Sequence, residues 1–321
     1  MKSWRLAELN GTFQLQEVPL PSPGPGELLV RVMACGLNFA DLLMREGKYQ
    51  EKPPLPYTPG MEVAGVVTAL GPGVAGPLPG TRVLAFLNHG GLADEALAPA
   101  ERVVPIPDAM PFDQAAAFPI AYGTSHLALA HKARLQPDET LLVLGAAGGV
   151  GLTAVEIGKR MGARVVASAR GAEKLEIARA AGADAVIDSD TPDLKSAFKA
   201  LGGVDVVYDA VGGAGFDAAL SACRPEGRLL AIGFASGQVP QVPANLLLVK
   251  NLSVMGLYWG GYLKFAPQLL TGSLATLLGW YAEGGLRPHI SHRLPFAQLP
   301  QALELLRDRK STGKVVVRVQ D

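Results

Sequence analysis

Three things are scarce in this chain, and each scarcity closes off a class of function. Cysteine occurs only twice, at Cys35 and Cys223. Two distant thiols make neither a zinc or redox motif nor a disulfide framework. Neither sign of charge is in excess, with 29 Lys and Arg against 29 Asp and Glu. Binding along a phosphate backbone needs a basic surplus, and the densest basic cluster, Arg307, Arg309 and Lys310, is broken by Asp308. Aromatic residues make up 6%, and no aromatic-plus-basic stripe offers a stacking platform for single strands. No apolar run approaches the ~18 residues of a membrane span, and the first residues show no charged-then-apolar targeting pattern. These absences predict a cytoplasmic protein with no nucleic-acid or membrane partner.

What the chain has is apolar mass and glycine. Hydrophobic residues make up 49% of 321, with 38 glycines. That length suits two domains rather than one. The most informative stretch is Leu141-Leu142-Val143-Leu144-Gly145-Ala146-Ala147-Gly148-Gly149-Val150-Gly151-Leu152. A short apolar run ends in a glycine turn and a helical pattern follows, the context in which glycine-rich loops bind a dinucleotide pyrophosphate. Gly148 lets backbone approach the phosphates, Gly151 lets helix pack on strand, and the N–H groups of the helix start attract the anion. Ala147, Gly148, Gly149, Val150 and Gly151 are therefore candidate cofactor contacts. Ala146 replaces the first motif glycine, so the match is A-x-G-x-x-G. The alternative, a plain tight turn between strand and helix, weakens once the next segments are read.

Downstream, strand and helix signals alternate. Strands are predicted at 164–168, 184–188, 204–210, 228–234 and 251–257, with helices at 172–181 and 216–223 and a turn-and-helix stretch at 243–250. Six apolar strands separated by helices describe a doubly wound parallel sheet, the Rossmann arrangement, in an α/β protein.

The end of the second strand bears on which dinucleotide is bound. NAD-binding chains usually place an acid about 20 residues after the glycine turn, against the adenosine ribose. Here the segment reads Ser168-Ala169-Arg170-Gly171-Ala172-Glu173-Lys174. Ala169 is no carboxylate, and Ser168, Arg170 and Lys174 surround it; a 2′-phosphate would be held by such groups and repelled by an acid. The expected cofactor is NADPH. Glu173 is the contrary residue and is expected to face solvent, while Arg170 and Lys174 could also be ordinary surface charges.

The N-terminal third has another character. Short strand signals at 26–33, 62–69, 81–86 and 93–98 are bounded by Gly- and Pro-rich loops, as in a bent, barrel-like β-domain. Segment 295–307 has helical periodicity, and 314–319 ends the chain as an edge-like strand. A β-domain built from both termini (1–118 and 265–321) would enclose an α/β domain (119–264), with a cleft at the junction for cofactor and substrate.

At this point the chain resembles a family. Cys35-Gly36-Leu37-Asn38-Phe39-Ala40-Asp41, Pro59-Gly60-Met61-Glu62-Val63-Ala64-Gly65, the glycine turn, Val207-Tyr208-Asp209-Ala210-Val211-Gly212 and Ser311-Thr312-Gly313-Lys314-Val315-Val316 together resemble the zinc-free medium-chain dehydrogenases/reductases of the quinone oxidoreductase (zeta-crystallin-like) type. The resemblance implies a GroES-like β-domain, a homodimer joined near the fifth and sixth strands of the Rossmann sheet, and a set of cofactor contacts. Those are Asn38 beside the nicotinamide ribose or substrate, Thr124 near the domain crossover, Val211 after the fourth strand, Gly233 and Phe234 at the ribose, and Leu257, Tyr258 and Trp259 near the nicotinamide. Ser168 and Lys174 would hold the 2′-phosphate, with Arg309 as a third contact. Where the family often has a tyrosine near the adenosine phosphate, this chain has Ser189.

The departures from zinc-dependent relatives carry chemistry. Asn38 stands where those enzymes have a zinc-ligand Cys, Met61 where they have a ligand His, and the four-cysteine structural-zinc loop is missing. An amide and a thioether do not replace a thiolate and an imidazole on Zn²⁺, so no metal is expected. Without a Lewis acid the acceptor should already be electron-poor. The leading reading is an NADPH-dependent quinone reductase, in which the protein binds and orients while the cofactor supplies the chemistry. A second is an NADPH-dependent reductase of α,β-unsaturated carbonyls, an activated-alkene substrate that needs a proton donor. A third is a non-catalytic, crystallin-like NADPH-binding protein. Tyr49 falls where related reductases place a tyrosine over the substrate; its hydroxyl could donate a proton, orient an oxygen, or simply pack. His89 is a weaker candidate, in a loop; His126 and Met61 read as packing, Asp41 as a local cap, and Glu62 as a buried structural contact.

Overall fold

The computed structural model describes residues 1–320, and its chain divides into two compact units, Met1–Ile120 with the segment from Pro288 onward, and Ala121–Arg287. Each unit has its own apolar core. One gathers Leu6, Val30, Val32, Val63, Val83, Val315 and Val317, and the other Leu142, Val166, Phe198, Val207, Phe216 and Leu229.

The first unit begins with a two-stranded ribbon of β1 (Lys2–Arg5) and β2 (Gln14–Glu17). Its main sheet uses β3 (Glu27–Leu37), β4 (Glu62–Leu70), β5 (Arg82–Phe86), β6 (Glu95–Pro99) and β7 (Val103–Pro105). In the second unit lie β8 (Thr140–Leu144), β9 (Arg164–Ala169), β10 (Ala185–Asp188), β11 (Val204–Asp209), β12 (Cys223–Ala231) and β13 (Ser253–Gly256). The chain then returns to the first unit with β14 (Ile290–Pro295) and β15 (Lys314–Arg318).

β3 organises the first sheet. Along one edge it pairs with β4; along the other, its first half pairs with β6 and its last residues with β15. One strand that changes partner midway lets the sheet bend strongly, as the Gly- and Pro-bounded strand signals imply. β15 is no edge strand: β14 flanks it on one side and β3 on the other. The sequence carries no hint of this, because the valine run in Lys314-Val315-Val316-Val317 suits any strand buried on its pleat.

The second unit carries a six-stranded sheet in the order β10-β9-β8-β11-β12-β13, and every pairing in it is parallel. This is the doubly wound order, reversing between β8 and β11. β8 is buried along its whole length (TLLVL) because helices cover both faces, which explains its unbroken apolar run. The fifth strand starts earlier than expected, at Cys223, and the preceding helix runs Ala214–Ala222. The helix Pro267–Ala282 belongs to this unit, where it packs Leu270, Leu274 and Leu277 inward. The return to the first unit therefore comes at Pro288, later than the 265 read from the sequence.

Candidate active site

The glycine turn of the second unit is a site made mostly of backbone. Gly148 is the N-cap of the helix Gly149–Arg160, and no side chain caps it. First-turn N–H groups have no acceptor within their own helix, so those of Gly149, Val150 and Gly151 are left to an outside anion. Gly151 is required by space: a Cβ there would lie 2.1 Å from the carbonyl oxygen of Gly145. The turn is held by Ala146 N–H, which donates to the Ser168 carbonyl at 3.0 Å. Buried hydroxyls brace the helix start from below. Ser125 Oγ donates to the Val150 carbonyl at 2.8 Å and lies 2.8 Å from Thr153 Oγ1 and 2.9 Å from Tyr208 Oη. These features fit a dinucleotide pyrophosphate, the group that such a turn binds.

The other residues named from the sequence in this unit take the following places. Thr124 is buried one residue from Gly123, whose missing side chain makes room for an indole: a Cβ on Gly123 would lie 2.7 Å from Trp259 Nε1. The helix carrying Thr124 and the 257–259 segment are thereby brought together, with Leu257 N–H on the Ala231 carbonyl. Val211 and Gly212 follow β11 and are shaped by Asp209, whose Oδ1 accepts from Val211 N–H at 2.8 Å and Gly212 N–H at 3.0 Å. Burial raises the carboxyl of Asp209, offset in part by these two donors. Asp209 was missed as a positioning residue, although an Asp that ends a strand before Val-Gly-Gly is an Asx-turn signal. Gly233 N–H meets the Asp209 carbonyl, Phe234 is exposed, and Tyr258 is half-buried.

At the end of β9, Ser168 is buried, and its carbonyl secures the glycine turn. Arg170 reaches outward to Asp190, Nε to Oδ1 3.1 Å, while Lys174 is half-buried and Glu173 faces solvent as expected.

The first unit holds a different centre, made of charged side chains. Lys314 Nζ is buried and donates to the Leu37 carbonyl (2.7 Å), Asn38 Oδ1 (2.8 Å) and Glu62 Oε1 (2.6 Å). Asn38 Nδ2 donates to the same Glu62 oxygen at 2.9 Å, and Glu62 Oε2 takes the Ile120 N–H at 2.8 Å. The amide of Asn38 has only one workable orientation, since its oxygen must face the ammonium and its nitrogen the carboxylate. Asp41 caps the helix Phe39–Arg45 by accepting the Asn38 N–H at 2.8 Å, and its other oxygen takes the Gly60 N–H at 3.2 Å. Burial pushes the carboxyl of Asp41 up to about 6. Burial also pushes the Cys35 thiol well up, so that it stays protonated. In the sequence Lys314 stands out only within the Ser311–Val316 motif, and nothing local pairs it with Asn38.

The remaining candidates take quieter places. Met61 lies in the apolar core, as expected. Tyr49 is half-buried against that core. The His89 ring meets Tyr57 edge-on at 6.2 Å. His126 Nδ1 lies 2.8 Å from Ser273 Oγ with its ring edge-on to Trp280, a packing role. Arg309, in the first unit, follows the helix Leu299–Arg307 in left-handed backbone. Among the described residues no group of three or more His, Cys, Asp and Glu side chains could hold a metal ion, and no helix is long and apolar enough to cross a membrane.

A parallel doubly wound sheet with its glycine turn, joined in one chain to a bent β-domain, defines an oxidoreductase class. Residues 24–108 match the alcohol dehydrogenase GroES-like domain, and residues 149–272 match the zinc-binding dehydrogenase family. The quinone oxidoreductase-like protein 2 homolog of Nematostella vectensis is 43% identical over 303 residues, covering 92% of this chain and 83% of the relative. Quinone oxidoreductase-like protein 2 of Bos taurus is 40% identical, covering 98% and 91%. The quinone oxidoreductase from Thermus thermophilus, solved alone and with NADPH, superposes with a TM-score of 0.89 at 36% identity, covering 99% of this chain and all of that one. The chain belongs to the zinc-free quinone oxidoreductase family of the medium-chain dehydrogenases/reductases.

Proposed function

We propose that the chain is an NADPH-dependent quinone reductase that works without zinc. The observation that carries this is the Asn38–Glu62–Lys314 cluster. Where zinc-dependent relatives have ligands, this chain has an amide and a thioether, and a buried ammonium lies 2.8 Å from the amide oxygen. A divalent cation there would face the like charge of Lys314 and an uncharged amide and thioether at the ligand positions, with the one carboxylate, Glu62, already paired to the ammonium at 2.6 Å, a poor match for Zn²⁺. With no Lewis acid to polarise an alcohol, an acceptor that is already electron-poor suits the site. The nicotinamide supplies the reducing equivalents when bound. The chain's own residues bind and orient: the glycine turn takes the pyrophosphate, Arg170 and Lys174 take the 2′-phosphate, and Asn38, locked by Lys314 and Glu62, offers an N–H donor to an acceptor oxygen. Identity to a quinone oxidoreductase solved with NADPH supports the same reading.

The test is anaerobic cofactor oxidation, with NADPH and NADH side by side, against ortho-quinones, para-quinones and small enones. Fast NADPH consumption with quinones and slow consumption with enones is expected. Preference for enones would move the assignment to double-bond reduction, and tight NADPH binding without turnover would remove the enzyme assignment.

We also propose a homodimer through the β13 edge. Among the described residues β13 has a strand partner on one side only, and the neighbouring helix Ala244–Lys250 exposes Leu248 and Val249, 79% and 71% accessible. An unpaired edge beside apolar side chains suits pairing across a two-fold axis. Leu248→Glu should shift the mass in sedimentation from two chains to one; an unchanged mass would discard this interface.

A further inference from the structure

The end of β9 contains a charge pair whose arrangement bears on cofactor choice. Two loops meet there. Ser189 N–H donates to the Ala169 carbonyl at 2.9 Å. Asp188 Oδ1 accepts from Gly171 N–H at 3.3 Å and from Asp190 N–H at 3.0 Å. One carboxylate thus ties the loop after β9 to the loop after β10. The consequence is that Asp190 stands across from Arg170, and its Oδ1 lies 3.1 Å from the guanidinium Nε. Both side chains are well exposed, 66% and 59%. In a doubly wound sheet this corner faces the adenosine ribose, where an acid favours the free 2′-hydroxyl and an arginine favours the 2′-phosphate. This chain has both, bonded to each other.

We infer that Asp190 is a specificity-determining residue that holds down the preference for NADPH over NADH by occupying Arg170. The inference rests on the NADPH reading of this corner. A 2′-phosphate that approaches Arg170 brings close to two negative charges to a guanidinium already neutralised by a carboxylate. Either the ion pair opens or the phosphate sits beside Asp190; both weaken binding of the phosphorylated cofactor and leave the unphosphorylated one untouched. Exposed ion pairs are weak enough to exchange partners, so the pair tunes the preference and does not abolish it. Asp188 does not share this role, because its charge is taken up by two backbone donors.

Isothermal titration of the full chain with NADPH and with NADH tests it, using wild type, Asp190→Asn and Arg170→Gln. For charges about 6 Å apart in screened water, removing Asp190 should tighten NADPH about threefold and leave NADH within about twofold. The gain should shrink in 0.5 M salt, by roughly the extent that exposed charges are screened. Both substitutions are at exposed positions, and an unchanged thermal midpoint verifies the fold. Weaker NADPH binding in Asp190→Asn would mean that the carboxylate aims Arg170 at the phosphate, and would overturn the inference. So would no change, or an equal gain for both cofactors. A different result reaches deeper: if wild type does not prefer NADPH and Arg170→Gln leaves both affinities alone, the NADPH reading itself fails.

Discussion

The two units solve the same problem, holding a polar centre in a protein that is half apolar, in opposite ways. The second unit does it with backbone. Its cradle is one turn, from Gly145 to Gly151, whose donors are N–H groups and whose fit depends on a missing Cβ. The first unit does it with charge, burying Lys314 against Glu62 and Asn38, residues 252 and 276 positions away along the chain. A backbone site tolerates no added atom but carries no net charge to compensate. A side-chain site tolerates changes of shape but fails when one partner loses its charge. Each region should therefore break under the substitution that the other would survive.

The largest loss is expected from Lys314→Met, which keeps the length of the side chain and leaves Glu62 buried without its cation. Breaking a buried pair in this way costs about 3–5 kcal/mol. Urea unfolding should show the loss, and the double variant with Glu62→Gln should recover much of it, since shape is preserved and the orphaned charge is gone. No recovery in the double variant would show that Lys314 matters for its contact with the Leu37 carbonyl and not for its charge. Next comes Gly151→Ala. A methyl placed 2.1 Å from the Gly145 oxygen forces the helix off the strand, with a cost of about 1–3 kcal/mol in the range of overpacked cores. Here NADPH affinity should fall further than stability does, because the displaced N–H groups are the donors proposed for the pyrophosphate. Equal affinity in the variant would remove the turn from the cofactor site.

The same contrast decides what could be read from the sequence. The glycine turn and the six strands around it were legible because their cause is local: apolar runs, glycines and helix starts within a few residues of one another. The departures at Asn38 and Met61 were legible against a family pattern. The partner of Asn38 was not, because nothing within a hundred residues of Asn38 announces Lys314; only the return of β15 alongside β3 brings them together. That same return made β15 an interior strand where an edge was expected. The hydroxyl cluster of Ser125, Thr153 and Tyr208 was invisible for a similar reason, being three hydroxyl-bearing residues from three elements with no motif in common.

Asp41 sharpens the charge side of the comparison. Its carboxyl titrates near 6 in the folded protein against an ordinary value of 3.8. A raised carboxylate means that the folded state holds the proton more tightly than the unfolded one. Its contribution to stability is therefore full below about pH 4 and is lost as the pH rises through about 6. Measured against Asp41→Asn, which cannot titrate, the stability advantage of wild type should shrink by on the order of 2 kcal/mol between pH 4 and pH 7. A difference that stays flat across that range would mean that the backbone donors Asn38 and Gly60 outweigh burial and keep Asp41 ionised throughout.

The smallest effect is expected at Tyr49, and it is the one that bears most on function. Tyr49 lies half-buried against the apolar core of the first unit, and Tyr49→Phe removes only its hydroxyl oxygen. Hydride transfer to a quinone yields a hydroquinone monoanion, whose oxygen can take its one remaining proton from water, so no side-chain acid is needed. Reduction of an enone leaves a carbanion-like centre that gains from a positioned donor, an effect of about 10²–10⁴ where general acids act. Under the quinone reading, Tyr49→Phe should therefore leave the quinone rate within about twofold of wild type, the margin of a lost packing contact without a catalytic role. A drop of two orders of magnitude confined to enones would place Tyr49 among the catalytic residues and make charge delivery, and not orientation alone, the work of the first unit.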